Sequence, residues 1–518
     1  MTSSVGEGQT NKWIVTVAVI TGALMSSINM STVNVALPYL RSSLGATIEE
    51  ITWVATGYML ANIVMMPVTA MLSSRFGRKG FFLFSVTLFA LSSMLCGLAW
   101  DFPSLVIFRI IQGIGGGPLL PIPQAILRET FPPEEQGVAM GIFGFGVVLG
   151  PAFGPTVGGW LIDHYSWPWI FYVNVPVGLL SLILVSRYVQ DPPYLIRKRE
   201  KTDFPGIALL ILGLGSLQLM LERGPQKDWF DSAFIAYLAI ASVAGLGLFI
   251  WRELTADKPA VNLRVFRNLP FASGSTLGGV MGMGLFGGLF LLPMFLQQLL
   301  DYPAFNAGLA MMPRSVAMAV SMWTVGRLYN LIGPRLLIGA GFALTGFSFW
   351  ELSRLSLDAG LWDIILPQFW QGIGFGMIFV PLSTAGLSTI EPPMMTAATG
   401  LYNLVRQLAG SIGMAIAATQ LTRGTNMFRA FLVENITEFR DATTERLQAM
   451  GAMFMNTGSD FVTARQKALR LLEEMIMGHA RMLSFNRIFF LLACLFLLAI
   501  PLVFLLRGFR HTMTEKRH

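Results

Sequence analysis

Three arginines stand inside long apolar runs of this chain: Arg109, Arg314 and Arg406. A guanidinium in hydrocarbon costs about 2.5–3.5 kcal/mol on insertion scales, so each must face protein or water. Amides lie in similar runs at Asn29, Gln112, Gln368, Gln371 and Asn403. A cation surrounded by amides can orient a polar ligand, or exchange partners as a proton site loads and empties. Covalent catalysis lacks its parts. There is no P-loop, GxSxG, HExxH, GxGxxG or Cys/His cluster. A membrane-embedded enzyme would need a paired acid and base within the spans, and none is found. Cys96 and Cys494 are the two cysteines, each in an apolar run, so neither a disulfide framework nor a metal site follows from them. The chain reads as a non-enzyme without cofactor or metal.

Such residues need helices to hold them. Of 518 residues, 54% are hydrophobic and 13% charged, and mean hydropathy is +0.61. Soluble domains carry about 25% charge, which excludes a soluble enzyme as well as a disordered or fibrous protein. About 20 apolar residues cross a bilayer core. The apolar runs predict spans at 13–37, 50–72, 80–98, 102–126, 137–161, 169–187, 204–221, 231–251, 271–300, 306–325, 334–353, 362–386, 396–420 and 486–507. The expected fold is an all-α polytopic membrane protein with 14 transmembrane helices.

The net charge of +7 would suggest nucleic acid in a soluble chain, but here its placement points elsewhere. With the N-terminus cytoplasmic, 20 Lys and Arg fall in cytoplasmic segments and four in the short outer loops. Nine more lie in the long segment 421–487, where the positive-inside rule is weak. Both termini are therefore expected inside, and nucleic acid is not expected as a partner.

The two halves echo each other. Ala70-Met-Leu72-x-x-x-x-Gly77-x-Lys79 returns as Gly326-Arg-Leu328-x-x-x-x-Gly333-x-Arg335 at an offset of 256. Gln112-Gly-Ile-Gly-Gly-Gly117 returns as Gln371-Gly-Ile-Gly-Phe-Gly376 at 259, and Pro132-Pro133 as Pro392-Pro393 at 260. Weak internal symmetry of this kind marks transporter folds. The expected organisation is an N-terminal six-helix bundle (1–187), two inserted linker helices (188–270) and a C-terminal six-helix bundle (271–518).

This 6+2+6 order is similar to the 14-helix branch of the major facilitator superfamily. Ala70-Met-Leu-Ser-Ser-Arg75-Phe-Gly77-Arg78-Lys79 resembles that family's loop between the second and third helices. Arg109-Ile-Ile-Gln112-Gly113 resembles its fourth-helix motif, and Gly146 to Gly159 its fifth-helix antiporter motif. Thr32-Val-Asn34-Val-Ala-Leu-Pro38 and Trp169 to Gly178 resemble signatures of EmrB/QacA-type drug:proton antiporters. The long stretch before the last helix is similar to EmrB-like pumps. The resemblance implies secondary active efflux of hydrophobic or amphipathic compounds by alternating access, coupled to protons. The alternative is a lipid or fatty-acid translocase serving envelope building.

Residue by residue, the resemblance implies coupling and gating roles for Arg109, Gln112, Arg75, Gly77, Arg78, Gly150, Pro151, Gly154 and Pro155. Arg109 alternatively snorkels to the outer interface. The glycines Gly146, Gly150, Gly154 and Gly158 repeat every four residues and permit close helix contact, while Pro151 and Pro155 bend the helix. Ser74 stands where the family's loop has Asp, so no charge latch forms there. A cavity lined by helices 1, 4, 9 and 12 with their neighbours is implied, with Asn29, Thr32, Asn34, Tyr58, Gln297, Gln298, Gln368, Gln371, Asn403 and Arg406 as candidate polar groups. Asn403, Arg406, Gln407 and Ser411 also suit a structural hydrogen-bond strip. Related pumps have Asp where this chain has Asn29, and an amide cannot carry the proton. Coupling by a central first-helix carboxylate is excluded, which leaves either a peripheral carboxylate among Asp101, Asp163, Glu129, Glu49, Glu50, Glu222 and Glu351 or a different form of coupling.

Residues 421–485 are expected to form an extracytoplasmic helical hairpin. Phe428, Phe431, Leu432, Ile436, Phe439 and Leu447 recur at helical spacing, and Ser459 or Asp460 caps the second helix. Its apolar face either covers the transporter's own mouth or docks a periplasmic adaptor (a membrane fusion protein) leading to an outer-membrane duct. The partners implied are a small amphipathic substrate, protons and the lipid bilayer, and the place implied is a bacterial cytoplasmic (inner) membrane.

Overall fold

The computed structural model describes residues 11–192, 203–256, 259–434, 436–437 and 440–505. The basic cluster Arg197, Lys198, Arg199 and Lys201, together with Lys258, Phe439, Arg507, Arg510, Lys516 and Arg517, lies outside the described residues. The described chain is all-α. Its long helices are α1 (Lys12–Leu44), α2 (Trp53–Phe76), α3 (Arg78–Gly97), α4 (Phe102–Thr130), α5 (Gln136–His164) and α6 (Trp169–Tyr188). The chain continues through α7 (Phe204–Arg223), α8 (Ala233–Thr255), α9 (Leu269–Gln298), α10 (Ala304–Ile332), α11 (Pro334–Leu352) and α12 (Leu361–Ala385). It ends with α13 (Met395–Glu434), α14 (Asp441–Asn456) and α15 (Phe461–Ala499). Among the described residues, 11 helices are long and apolar enough to cross a membrane on length and composition alone. The polar interruptions Arg314 and Arg406 fall in α10 and α13, which lie outside that set.

Among the boundaries that differ from the expected spans, four cases have a plain physical reason, and proline accounts for three. α4 breaks into Phe102–Gly116 and Pro121–Thr130 around a 3-10 turn at Gly117–Leu119, where Pro118 and Pro121 bring no N–H. α6 divides at Val173, because Pro176 cannot donate to the preceding turn. The last helix ends at Ala499 in a 3-10 turn containing Pro501. The fourth is the reverse case. α13 has no proline between Met395 and Glu434, so it continues past the expected end near 420, and α15 likewise starts at Phe461. The hairpin is thus built mostly from prolonged membrane helices, with α14 packed on α15. Asp460 accepts from the Val462 and Thr463 N–H groups as the cap of α15. These bonds hold its carboxyl below the usual carboxylate range.

The internal repeat reappears in the packing. Gly77 and Gly333, 256 apart, both adopt φ near +85°, a region that excludes most side chains. Gly113 lies against the Tyr58 carbonyl and leaves no room for a Cβ; Gly372 lies in the same way against the Arg314 carbonyl. Gly115 meets Ser85 and Phe89, while Gly374 meets Gly341 and Thr345. The register offsets of 256 and 259 therefore hold in three dimensions. α7 and α8 pack on each other through Gly213 and Gly245, and α7 rests against α2 and α13. Beside them, Arg252 grips Asp203 with three hydrogen bonds of 2.7–3.0 Å and lowers that carboxyl below its ordinary value.

Candidate functional site

Arg109 is 1% exposed, and its Nε and Nη1 are both hydrogen-bonded. Its Nε donates to the Val54 carbonyl at 2.9 Å, and its Nη1 to Asn29 Oδ1 at 2.6 Å and Gln112 Oε1 at 2.5 Å. The guanidinium lies 4.4 Å from the Tyr58 ring centroid and 5.9 Å from that of Phe171. Helices α1, α2 and α4 thus converge on one cation. Arg109 does not snorkel outward. Tyr58 extends the network through Ser26 (3.0 Å) and Asn62 (3.4 Å), and Cys96 lies 3.9 Å from Gln112 Oε1. Every acceptor on Arg109 is neutral. The Nδ2 of Asn29 and the Nε2 of Gln112 are buried without a partner. Four of the expected residues, Asn29, Tyr58, Arg109 and Gln112, are therefore brought together.

A second cluster occupies the other half. Arg314, on α10, is buried and donates to Gln371 Oε1 at 3.4 Å, with Gln368 buried on the same α12. A third joins the halves: Asn403 on α13 donates to Gln124 Oε1 on α4 at 2.8 Å and accepts from Arg406 at 2.7 Å. Arg406 also stands 5.2 Å over the Phe379 ring. The strip on α13 is thus an interhelical network whose partner, Gln124, was not singled out in the sequence.

The glycine stripe of α5 packs on α1. Gly150 meets Ser27, Gly154 meets Ser31, and Gly158 meets Thr32, so Thr32 belongs to this seam and not to the Arg109 cluster. Pro151 has no N–H to offer the Val147 carbonyl one turn earlier. The Ser27 hydroxyl donates to that carbonyl instead, at 2.6 Å. Pro155 lies in the same helix. Earlier along α5, Gly137 and Gly141 lie against Gly326 and Met322 of α10.

Several contacts between the halves lie at one end, beside ion pairs internal to the first half. Arg78 pairs with Glu129 and donates to the Pro392 carbonyl at 3.0 Å, and Arg128 donates to the Thr384 carbonyl at 2.7 Å. Asn330 donates to the Glu134 carbonyl at 2.5 Å, and Lys12 pairs with Glu135. Gly77 supplies the turn that aims Arg78. Arg75 is exposed over Phe76, and Ser74 donates to its own helix at Met71. Arg78 thus finds its carboxylate in Glu129, without an acid at position 74.

Three expected cavity residues lie elsewhere. Asn34 is exposed on α1. Gln297 and Gln298 are exposed because α9 runs straight to Gln298, which places them at its end. Gln298 lines a cavity of about 510 Å³ with Leu357, Glu473, Met477 and Arg481, beside the hairpin. One acid reaches α2 on the face away from Arg109. Glu222, near the end of α7, accepts from the Thr56 hydroxyl, midway between Val54 and Tyr58 on α2, and its second oxygen is buried without a partner. An isolated acid at a helix end gave no sequence signal for this contact.

The sequence matches the Major Facilitator Superfamily over residues 19–414. It is 33% identical over 491 residues to the multidrug export protein EmrB of Escherichia coli (strain K12), covering 95% of this chain and 94% of that protein. It is 32% identical over 499 residues to the fatty acid resistance protein FarB of Neisseria gonorrhoeae, covering 96% of each. Among solved structures, the human organic anion transporter MFSD10 (TETRAN) superposes with a TM-score of 0.63 over 95% of this chain and 99% of that one. At 15% identity, that likeness is one of fold alone.

Proposed function

The chain belongs to the major facilitator superfamily, and from that premise we propose that it is a secondary active exporter of hydrophobic and amphipathic compounds. It is a multi-pass membrane protein and not an enzyme. The observation that carries the reading is the seal at one end of the two halves, formed by Arg78, Arg128, Asn330 and the Gly137–Gly326 contact. Near-full-length similarity to a multidrug export protein supports it. A seal made of a few side-chain-to-carbonyl bonds can be broken and remade, as alternating access requires. The fourteen-span topology with both termini cytoplasmic, the division into bundles 1–187 and 271–518 around linker helices 188–270, and a bacterial inner membrane complete the proposal.

Protons are the coupling ion in this reading. Asn29 cannot carry one, so Glu222 takes the role. Its carboxyl meets Thr56 on α2, whose other face holds Arg109 through the Val54 carbonyl and the Tyr58 ring, so a change of charge there would reach the Arg109 network through movement of that helix. Met453, Met455, Phe461 and Val462 expose apolar surface on the hairpin, which supports docking of a periplasmic adaptor that continues to an outer-membrane duct.

Deleting the protein is expected to raise sensitivity to several unrelated hydrophobic toxicants. Unchanged sensitivity with altered lipid asymmetry would favour the second reading, a lipid or fatty-acid translocase. That reading draws support from cations in the spans that, among the described residues, no carboxylate neutralises, and from similarity to a fatty acid resistance protein.

A further inference from the structure

The repeat exposes an imbalance between the halves. Since Gly113 faces the Tyr58 carbonyl and Gly372 the Arg314 carbonyl, position 314 on α10 is the counterpart of position 58 on α2. Gln368 on α12 stands 259 residues after Arg109. The second-half cation has therefore moved from the fourth helix of its bundle to the second, while the glutamine that binds it, Gln112 or Gln371, keeps its place.

The two cations are not equally satisfied. Arg109 has a carbonyl, two amide oxygens and an aromatic face. Arg314, equally buried, has one 3.4 Å bond to Gln371 and, among the described residues, neither a carboxylate nor an aromatic face. Where α1 offers Asn29 to Arg109, α9 presents Gly288, whose Cβ would stand 3.7 Å from Arg314 Nη1. Gln371 spends its oxygen on Arg314 and leaves its Nε2 buried without a partner. The unfilled valences of Arg314 and Gln371 are donors, so their complement is an acceptor; Gln368 Oε1, one turn earlier on α12, is itself a buried acceptor without a partner. A buried cation without an anion is costly, and a bidentate carboxylate is the acceptor that fits a guanidinium fork. The buried ring of Phe349, 3.6 Å from the same Gly288 position, makes the surroundings of Arg314 apolar.

We propose that Arg314 and Gln371 form a recognition site for the carboxylate head group of an anionic amphipathic substrate. The inference rests on the export reading and specifies one substrate class for it. Each such molecule exported carries negative charge outward, a direction that an inside-negative membrane potential favours.

The test uses the purified full chain in nanodiscs, with sodium dodecanoate as the probe and 1-dodecanol as its uncharged twin. The natural chain is expected to bind dodecanoate more tightly than dodecanol. Arg314→Gln should weaken dodecanoate binding by about tenfold or more, the order of a lost charge-assisted bond, and leave dodecanol binding unchanged. Gly288→Asn guards against a folding defect, because its Cβ has ordinary van der Waals clearance. It gives Arg314 an acceptor from within the chain, so it should weaken dodecanoate binding and raise the melting temperature of the ligand-free protein. Equal binding of the two probes by the natural chain, or dodecanoate binding unaffected in a folded Arg314→Gln or in Gly288→Asn, overturns the proposal. Transport of uncharged and cationic amphipaths separates this from the broader reading. If they are still exported when carboxylates show no preference, only the anion site fails.

Discussion

Ser27→Ala removes the hydroxyl that caps the Val147 carbonyl at 2.6 Å across the α1–α5 seam. That carbonyl lacks its helical donor because residue 151 is proline, and hydrocarbon supplies no water to replace it. The variant should therefore lose the bond and strand its acceptor, about 1–3 kcal/mol in all. Pro151→Ala restores an N–H one turn along α5, so the stranded carbonyl regains a partner from its own helix. In the Pro151→Ala background the same Ser27→Ala change should cost less than about 0.5 kcal/mol, a coupling energy of about 1 kcal/mol or more. Denaturant unfolding of the four proteins in one detergent completes the cycle. If the two substitutions add within about 0.3–0.5 kcal/mol, the hydroxyl is not compensating for the proline and the account of the seam is wrong.

Arg109→Gln should reduce transport by at least about tenfold while the protein still reaches the membrane, since three acceptors lose a charged donor; full activity in vesicles would remove Arg109 from the mechanism. Glu222→Gln should abolish the response of transport to an imposed pH gradient while substrate binding persists, and an unchanged gradient response would require another proton site. Because Arg252 lowers the folded-state value of Asp203, this carboxylate stabilises the fold above its unfolded value of about 3.9, and that contribution is lost as pH falls through the folded value. Asp203→Asn should flatten the acid limb of a melting-temperature profile measured below about pH 5, and an unaltered limb would exclude this pair as its source.

Much of the architecture was legible because a bilayer constrains helices so tightly: among the described residues apolar length marks 11 helices, and proline stands at three of the breaks. The errors follow from the same physics. α13 and α15 continue past the hydrocarbon because nothing in their sequence stops them, and that continuity turned an expected separate hairpin into extensions of two spans. Gln297 and Gln298 looked internal only because the ninth span was drawn to residue 300. The Arg109 cluster was half visible. Asn29 and Gln112 are side chains with a register, whereas the Val54 carbonyl is backbone, which every residue possesses and no sequence pattern marks. Glu222 and Gln124 act across helices far apart in the chain, 166 residues from Thr56 and 279 from Asn403. Pairings of that reach need coordinates.

The purified protein reconstituted into liposomes, with an imposed pH gradient and a fluorescent amphipath, measures coupled export itself. Gradient-driven accumulation of the dye, collapsed by a protonophore and absent with Arg109→Gln, is the expected result. Dye movement that ignores the gradient, with Arg109→Gln as active as the natural chain, would contradict both the proton coupling and the role given to the buried cation.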